Sequence, residues 1–275
     1  MHYKLFNDDE LYYFDNINYL HTLNNKNEVK EILIDNSNLK VLPNLKKFIN
    51  LKKLYCNYNN KLTQLPELPS NLKILYCCYN QLIKLPKLPF NLKILDCSNN
   101  QLTQLPELPT NLELIYCFNN KLTQLSKLPS NLTKLECFNN QLTKLPELPI
   151  NLVDLTCSKN QLIVLPNLPN DLELLYCYDN LLTELPKLPI NLLILYCDHN
   201  KLIQLPELPK KLENISIDNN NKNLSRYIIH SKKLRNYSKY NKYKNIDSLN
   251  ELLNYNIKNY YYFRIIKYYE NIYND

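Results

Sequence analysis

A solenoid of short parallel β-strands is the fold class this sequence predicts, and three observations carry the prediction. Units of 20 residues begin at Leu72, Leu92, Leu112, Leu132, Leu152, Leu172 and Leu192, and self-similarity at a fixed period of this length marks a stacked repeat architecture. Within a unit, a stretch such as LKILDC places Leu92, Leu95 and Cys97 inward with the intervening residues outward, as a short strand requires. The second half, LTQLPELP, carries Leu102, Leu105 and Leu108 together with Pro106 and Pro109. The prolines forbid a regular helix and favour an extended, polyproline-like return path. One such unit cannot bury its own apolar edge, so neighbouring copies must complete the core.

Taken in order, residues 1–28 precede the array. Asp8-Asp9-Glu10 suits the start of a helix, where carboxylates meet the positive end of the dipole. Leu11, Phe14, Ile17 and Leu20 then follow at helical spacing. The expectation is an α-helical cap over the open end of the core. The array occupies residues 29–220 in about ten repeats. Val29 opens a weaker copy, Leu51 a copy one residue longer, and Leu212 a last copy without its proline half. Ser126 stands where the unit otherwise has proline. The ninth position is Asn80, Asn100, Asn120, Asn140, Asn160, Asn180 and Asn200. A buried amide there is expected to bond the backbone of adjacent coils where the strand turns, since an unsatisfied buried polar group is costly. Residues 221–275 form a basic, Tyr- and Asn-rich C-terminal cap or tail. They hold 11 Lys and Arg against 4 Asp and Glu, the whole of the chain's net charge of +7.

The unit LxxLxCxxNxL resembles the leucine-rich repeat, in which Cys replaces the third Leu. The LPxLP half is similar to the short repeats of bacterial leucine-rich-repeat effectors, and the Gly-free, Asn- and Tyr-rich style is similar to leucine-rich-repeat proteins of giant DNA viruses. The resemblance implies a horseshoe with its strands on the concave face and an extended convex side. It implies a scaffold for binding proteins, viral or host-directed, and no catalysis. Bacterial effectors of this kind often carry a ubiquitin-ligase domain with a catalytic Cys beyond the repeats; the short tail here has no Cys, so that activity is not expected.

Composition excludes several enzyme classes. With no Gly in the chain, there is no dinucleotide-binding GxGxxG, no Walker A loop and no GxSxG elbow. No cofactor, metal or small-molecule substrate is expected. Eight of the 9 cysteines (Cys56, Cys77, Cys97, Cys117, Cys137, Cys157, Cys177, Cys197) share one repeat position. A column of thiols one strand apart does not converge as metal ligands must, and in-register parallel neighbours pair poorly as disulfides. The expectation is a reduced core ladder in a reducing, cytoplasmic setting. Only Cys78 is expected to face outward. No signal peptide is read in the first residues and no apolar run is long enough to span a bilayer.

The residues between the core positions should line the concave sheet. The fifth position gives Tyr55, Tyr76, Asp96, Tyr116, Glu136, Tyr176 and Tyr196; the seventh gives Phe118, Phe138, Tyr178 and Asp198; the eighth adds Tyr79. Aromatic side chains interleaved with acids are typical of protein interfaces, and these twelve are the expected partner-binding residues. The acids disfavour nucleic acid in the groove. His199 alone makes no metal site, which needs several converging ligands. The alternative reading places function in residues 222–275, a basic aromatic segment suited to nucleic acid or an anionic membrane surface.

Overall fold

The computed structural model describes residues 3–6, 11–14 and 16–220. The expected C-terminal cap and the basic tail lie outside the described residues. Among the described residues there is one sheet of twelve strands, β1 (Tyr3–Phe6), β2 (Leu11–Phe14) and ten more, in the order β12-β11-β10-β9-β8-β7-β6-β5-β4-β3-β1-β2. Ten of them, β3 (Glu31–Leu33), β4 (Lys53–Tyr55), β5 (Ile74–Tyr76), β6 (Ile94–Asp96), β7 (Leu114–Tyr116), β8 (Lys134–Glu136), β9 (Asp154–Thr156), β10 (Leu174–Tyr176), β11 (Ile194–Tyr196) and β12 (Asn214–Ser216), are the repeat strands. They pair parallel and in register, so that equivalent residues of successive units oppose one another, as Leu75 opposes Leu95 and Leu95 opposes Ile115.

The strand half of each unit buries the same positions. Leu92, Leu95, Cys97 and Leu102 have no exposed surface, and Leu108 retains 8%. The return segment of each unit carries neither helix nor strand, in keeping with its two prolines. The eight column cysteines are buried and free. Burial pushes the thiols up, Cys157 to about 12, so they remain neutral apolar filler.

Two polar columns hold the coils together. At the ninth position, the Asn100 amide donates to the carbonyls of Cys77, Cys97 and Ser98 and accepts the Leu82 N–H. The pattern repeats at Asn120, Asn140, Asn160, Asn180 and Asn200. A second ladder, not anticipated above, uses the last residue of the unit. Asn71, Asn111 and Asn151 each donate to the backbone carbonyl of the preceding coil, at Ile49, Phe90 and Ser130. The eighth position is left-handed in every unit, with φ between 51° and 56° from Tyr58 to Asn219. Asn, which tolerates this conformation, occupies many of these sites in a chain without Gly.

The N-terminal expectation is corrected. Leu11–Phe14 is not helix but β2, which pairs antiparallel with β1 (Tyr3–Phe6), and β1 in turn pairs antiparallel with β3. The only described helix is α1 (Tyr19–Thr22), a single turn whose Leu20 is buried. The physical reason is the edge of β3: its open row of N–H and C=O groups is covered by a strand far better than by a helix. Tyr- and Phe-rich segments such as YKLF and LYYF suit that pairing.

Candidate functional site

The candidate site is the outward face of the ten repeat strands. Third and fifth positions of each unit share this side of the pleat, and the second position lies at the strand's leading edge. With strands about 4.8 Å apart, side chains of successive units meet face to face. Tyr55 and Tyr76 stack with centroids 5.3 Å apart, and Phe118 and Phe138 at 4.3 Å. Tyr58 and Tyr79 stack at 4.5 Å, while Tyr176 and Tyr196 meet edge-on at 5.2 Å.

This stacking decides which expected residues offer surface. Tyr55, Asp96, Tyr116 and Glu136 of the fifth column are buried, as are Phe118, Phe138, Tyr178 and Asp198 of the seventh. Tyr76, Tyr79, Tyr176 and Tyr196 are half-buried. The two columns thus form a packed layer whose upper edge reaches solvent. Asp96 is held within that layer by the hydroxyl and N–H of Ser98, at 2.6 and 3.1 Å. Burial pushes the phenols of Tyr176 and Tyr178 up to about 12, so both stay protonated donors.

The twelve expected residues include none from the third position, although the alternation already turns that column, Ile94 among it, outward. Ile74, Ile94, Leu114, Leu174 and Ile194 are half-buried along the middle of the face. Their place between two inward leucines, on the same side of the pleat as the fifth column, was the signal that could have found them. At β8 and β9 this apolar row is interrupted by Lys134 and Asp154. The Lys134 ammonium lies 2.9 Å from Glu136 and 2.5 Å from Asp154, and 5.9 Å from the centre of the Tyr116 ring. Burial alone would lower the Lys134 pKa, but the two carboxylates outweigh it and hold the ammonium above its ordinary range.

On the eighth column, Asn119 donates to Asn99 and Asn139 to Asn119, each at 2.7 Å. His199 Nδ1 lies 2.9 Å from an Asp198 carboxylate oxygen and its Nε2 lies 2.8 Å from the Asn219 amide nitrogen. Nε2 therefore accepts from the amide and Nδ1–H donates to the carboxylate. Cys78 is half-buried, with its thiol 3.1 Å from the Asn57 carbonyl oxygen. Among the described residues, no group of three or more His, Cys, Asp or Glu could hold a metal ion, and no helix is long and apolar enough to cross a membrane.

No protein-family model and no curated protein matches the chain. Solved structures do. The functional domain of InlJ from Listeria monocytogenes, described as including a cysteine ladder, is 26% identical with a TM-score of 0.50, over 69% of this chain and 49% of that one. The leucine-rich effector YopM of Yersinia pestis is 31% identical with a TM-score of 0.42, over 70% of this chain and 78% of that one. YopM of Yersinia enterocolitica is 36% identical with a TM-score of 0.47, over 66% of this chain and 50% of that one, so the chain spans half its length. The repeat unit, the parallel in-register strands, the asparagine and cysteine columns and the similarity to the InlJ domain together make the chain a member of the leucine-rich-repeat proteins.

Proposed function

We propose that the protein is a non-enzymatic scaffold that grips a protein partner on its outward strand face. The observation that carries this reading is the row of half-buried apolar residues (Ile74, Ile94, Leu114, Leu174 and Ile194) beside Tyr76, Tyr176 and Tyr196. Half-exposed aromatic and aliphatic side chains on a rigid sheet supply contact area at little entropic cost. The buried stacked layer beneath keeps them in place. An adaptor role in a viral or host-directed setting is the finer form of the proposal. The repeat style supports that setting, and the column of free thiols supports a reducing compartment.

The test compares the wild type with a Tyr76→Ala, Tyr176→Ala, Tyr196→Ala variant as bait in quantitative affinity capture, after both are shown to unfold at similar temperatures. Selective loss of specific partners by the variant is the expected result. Identical partner sets would overturn the proposal. Turnover of any substrate traced to a residue of the array would overturn its non-enzymatic part.

A further inference from the structure

Strands β4–β12 are each entered through a tight turn. The Leu72 N–H bonds to the Pro69 carbonyl at 3.2 Å and the Leu92 N–H to the Pro89 carbonyl at 3.1 Å, which leaves two residues at each corner. In-register stacking brings these corners together along one edge of the sheet. The three most exposed large apolar side chains among the described residues stand at the first corner position: Ile150 at 74%, Ile190 at 71% and Phe90 at 67%. Ile49 shares the column at 54%. Asn71 and Asn111, from the following coils, donate to the Ile49 and Phe90 carbonyls, so these corners are held in place.

Around Phe90 the same edge is basic. Lys52, Lys73 and Lys93 follow the corners of the β4, β5 and β6 units. The Lys73 N–H bonds to the Lys52 carbonyl and the Lys93 N–H to the Lys73 carbonyl, each at 2.8 Å, so the backbone holds the three one strand apart. Lys93 shares its charge with Glu113 at 2.6 Å, while Lys52 and Lys73 are exposed. Ile150 has the opposite setting: the unit after it brings exposed Asp171 and Glu173 to the edge. We propose that the edge of the β4–β6 units docks on an anionic phospholipid surface, with Phe90 and Ile49 entering the acyl boundary and the three lysines at the headgroups. The third and fifth columns take no part, so a membrane-bound copy still presents its outward strand face to a protein partner.

Charge and apolar exposure together select this occupant. Apolar side chains beside lysines suit an anionic bilayer surface, where burial of the first and attraction of the second add. A nucleic acid would use the lysines and stack on Phe90, but it gives an aliphatic Ile49 no comparable role. Two apolar anchors and three lysines make a weak, reversible contact that salt screens.

The test uses the full chain and vesicles of phosphatidylcholine, with and without phosphatidylserine. The chain has no Trp, so Phe90→Trp and Ile150→Trp each place a single indole on the edge, one in the basic part and one in the acidic part. With phosphatidylserine present, the Phe90→Trp emission should shift to the blue and be quenched by brominated acyl chains; the Ile150→Trp emission should stay as it is in buffer. In vesicle co-sedimentation, Phe90→Ser should weaken binding about tenfold. Lys52→Gln, Lys73→Gln should weaken it roughly twentyfold, about fivefold for each charge, and Ile150→Ser should leave it unchanged. All of these sites are exposed, so the variants keep the fold. No binding by the wild type, or indole shifts equal at both positions, would overturn the proposal. Binding undiminished in Phe90→Ser would assign it to the basic residues 222–275 and overturn the proposal as well. Preference for a single-stranded oligonucleotide over the vesicles would replace the lipid with nucleic acid. Captured protein partners retained by Phe90→Ser while vesicle binding falls would confirm that the edge and the strand face are separate sites.

Discussion

Asn100 reaches from one coil to the next, accepting the Leu82 N–H at 2.9 Å and donating to the Cys77 carbonyl at 2.9 Å. Its remaining bonds go to the carbonyls of Cys97 and Ser98 in its own turn. All of this takes place at a side chain 4% exposed. Asn100→Ala leaves the Leu82 N–H without its acceptor in a dry site, while the carbonyls of Cys77, Cys97 and Ser98 lose one donor each but keep the Asn80 amide, the Asn120 amide and the Tyr79 N–H. For one buried group left unsatisfied, the substitution is expected to cost about 1–3 kcal/mol. Asn100→Asp, which keeps the acceptor but loses the donors, should be nearly as damaging. Equilibrium urea unfolding of both variants checks this; a loss below about 1 kcal/mol would mean that water replaces the amide.

Lys159 sits at the left-handed eighth position with φ of 53°, where Asn99, Asn119 and Asn139 occupy the equivalent sites of preceding units. Left-handed backbone costs a non-Gly residue about 1–2 kcal/mol, less for Asn. Lys159→Asn is expected to stabilise the array by roughly 0.5–1 kcal/mol and to let residue 159 join the amide ladder ending at Asn139. Asn119→Val should do the opposite, because a β-branched residue resists this conformation. Thermal unfolding of the pair should move the two variants in opposite directions; a shift of both in the same direction would count against the backbone explanation.

Much of this organisation was legible in the residues themselves. The leucine, cysteine and ninth-position asparagine columns follow from a fixed period, because any residue repeated at one place in a stacked unit must meet its own copies. The role of Phe118 and Tyr116 was harder to read. Their position in the unit gives the side they point to, while their burial involves neighbours one strand away, the Phe138 ring on Phe118 and Lys134 over the Tyr116 ring. Glu136 and Asp154 likewise acquire their meaning only when Lys134 is placed between them. At the N-terminus, the spacing of Leu11, Phe14, Ile17 and Leu20 suggested a helix. The open edge of β3, a property of the assembled sheet and not of the local sequence, selected strand for Leu11–Phe14 instead.

Asp35 gives the fold a defined response to acid. Burial pushes its carboxyl up to about 7, against the lowering effect of the Asn57 N–H at 2.6 Å and the Asn57 amide at 3.3 Å. The folded state thus holds a proton that the unfolded chain releases near 3.8. The contribution to stability is complete below that value and is lost as pH rises through 7. Asp35 keeps partial solvent contact, so the slope will be shallower than for a dry carboxyl. Asp35→Asn should flatten the decline in stability between about pH 4 and pH 7, measured by urea midpoints across that range. An unchanged profile would place the carboxyl in an effectively aqueous setting.

Ser126 interrupts a column that is otherwise Pro66, Pro86, Pro106, Pro146, Pro166, Pro186 and Pro206. The neighbouring coils show that the return path accepts the proline ring at this place. Ser126→Pro is therefore expected to stabilise the array by about 0.4–1 kcal/mol, chiefly by restricting the unfolded chain. Thermal unfolding checks the sign; destabilisation would show that this coil follows a different backbone path.

Lys134 neutralises two carboxylates in the middle of the strand face, and its own side chain is only 21% exposed. Lys134→Met preserves much of the aliphatic stem but leaves Glu136 and Asp154 together without the cation. Breaking a largely buried ionic group by removing one partner costs about 3–5 kcal/mol when fully dry; partial exposure here should reduce that to roughly 2 kcal/mol. The deficit has a pH signature. Two facing carboxylates favour taking up a proton, so the variant should recover stability relative to wild type as pH falls from 7 towards 4. Lys134→Met, Glu136→Gln removes one of the two charges and should be less destabilised than the single variant at pH 7. Urea midpoints of wild type and both variants at the two pH values decide it: an equal deficit at pH 4 and pH 7 would assign the loss to packing, and the cluster's electrostatic role would fall.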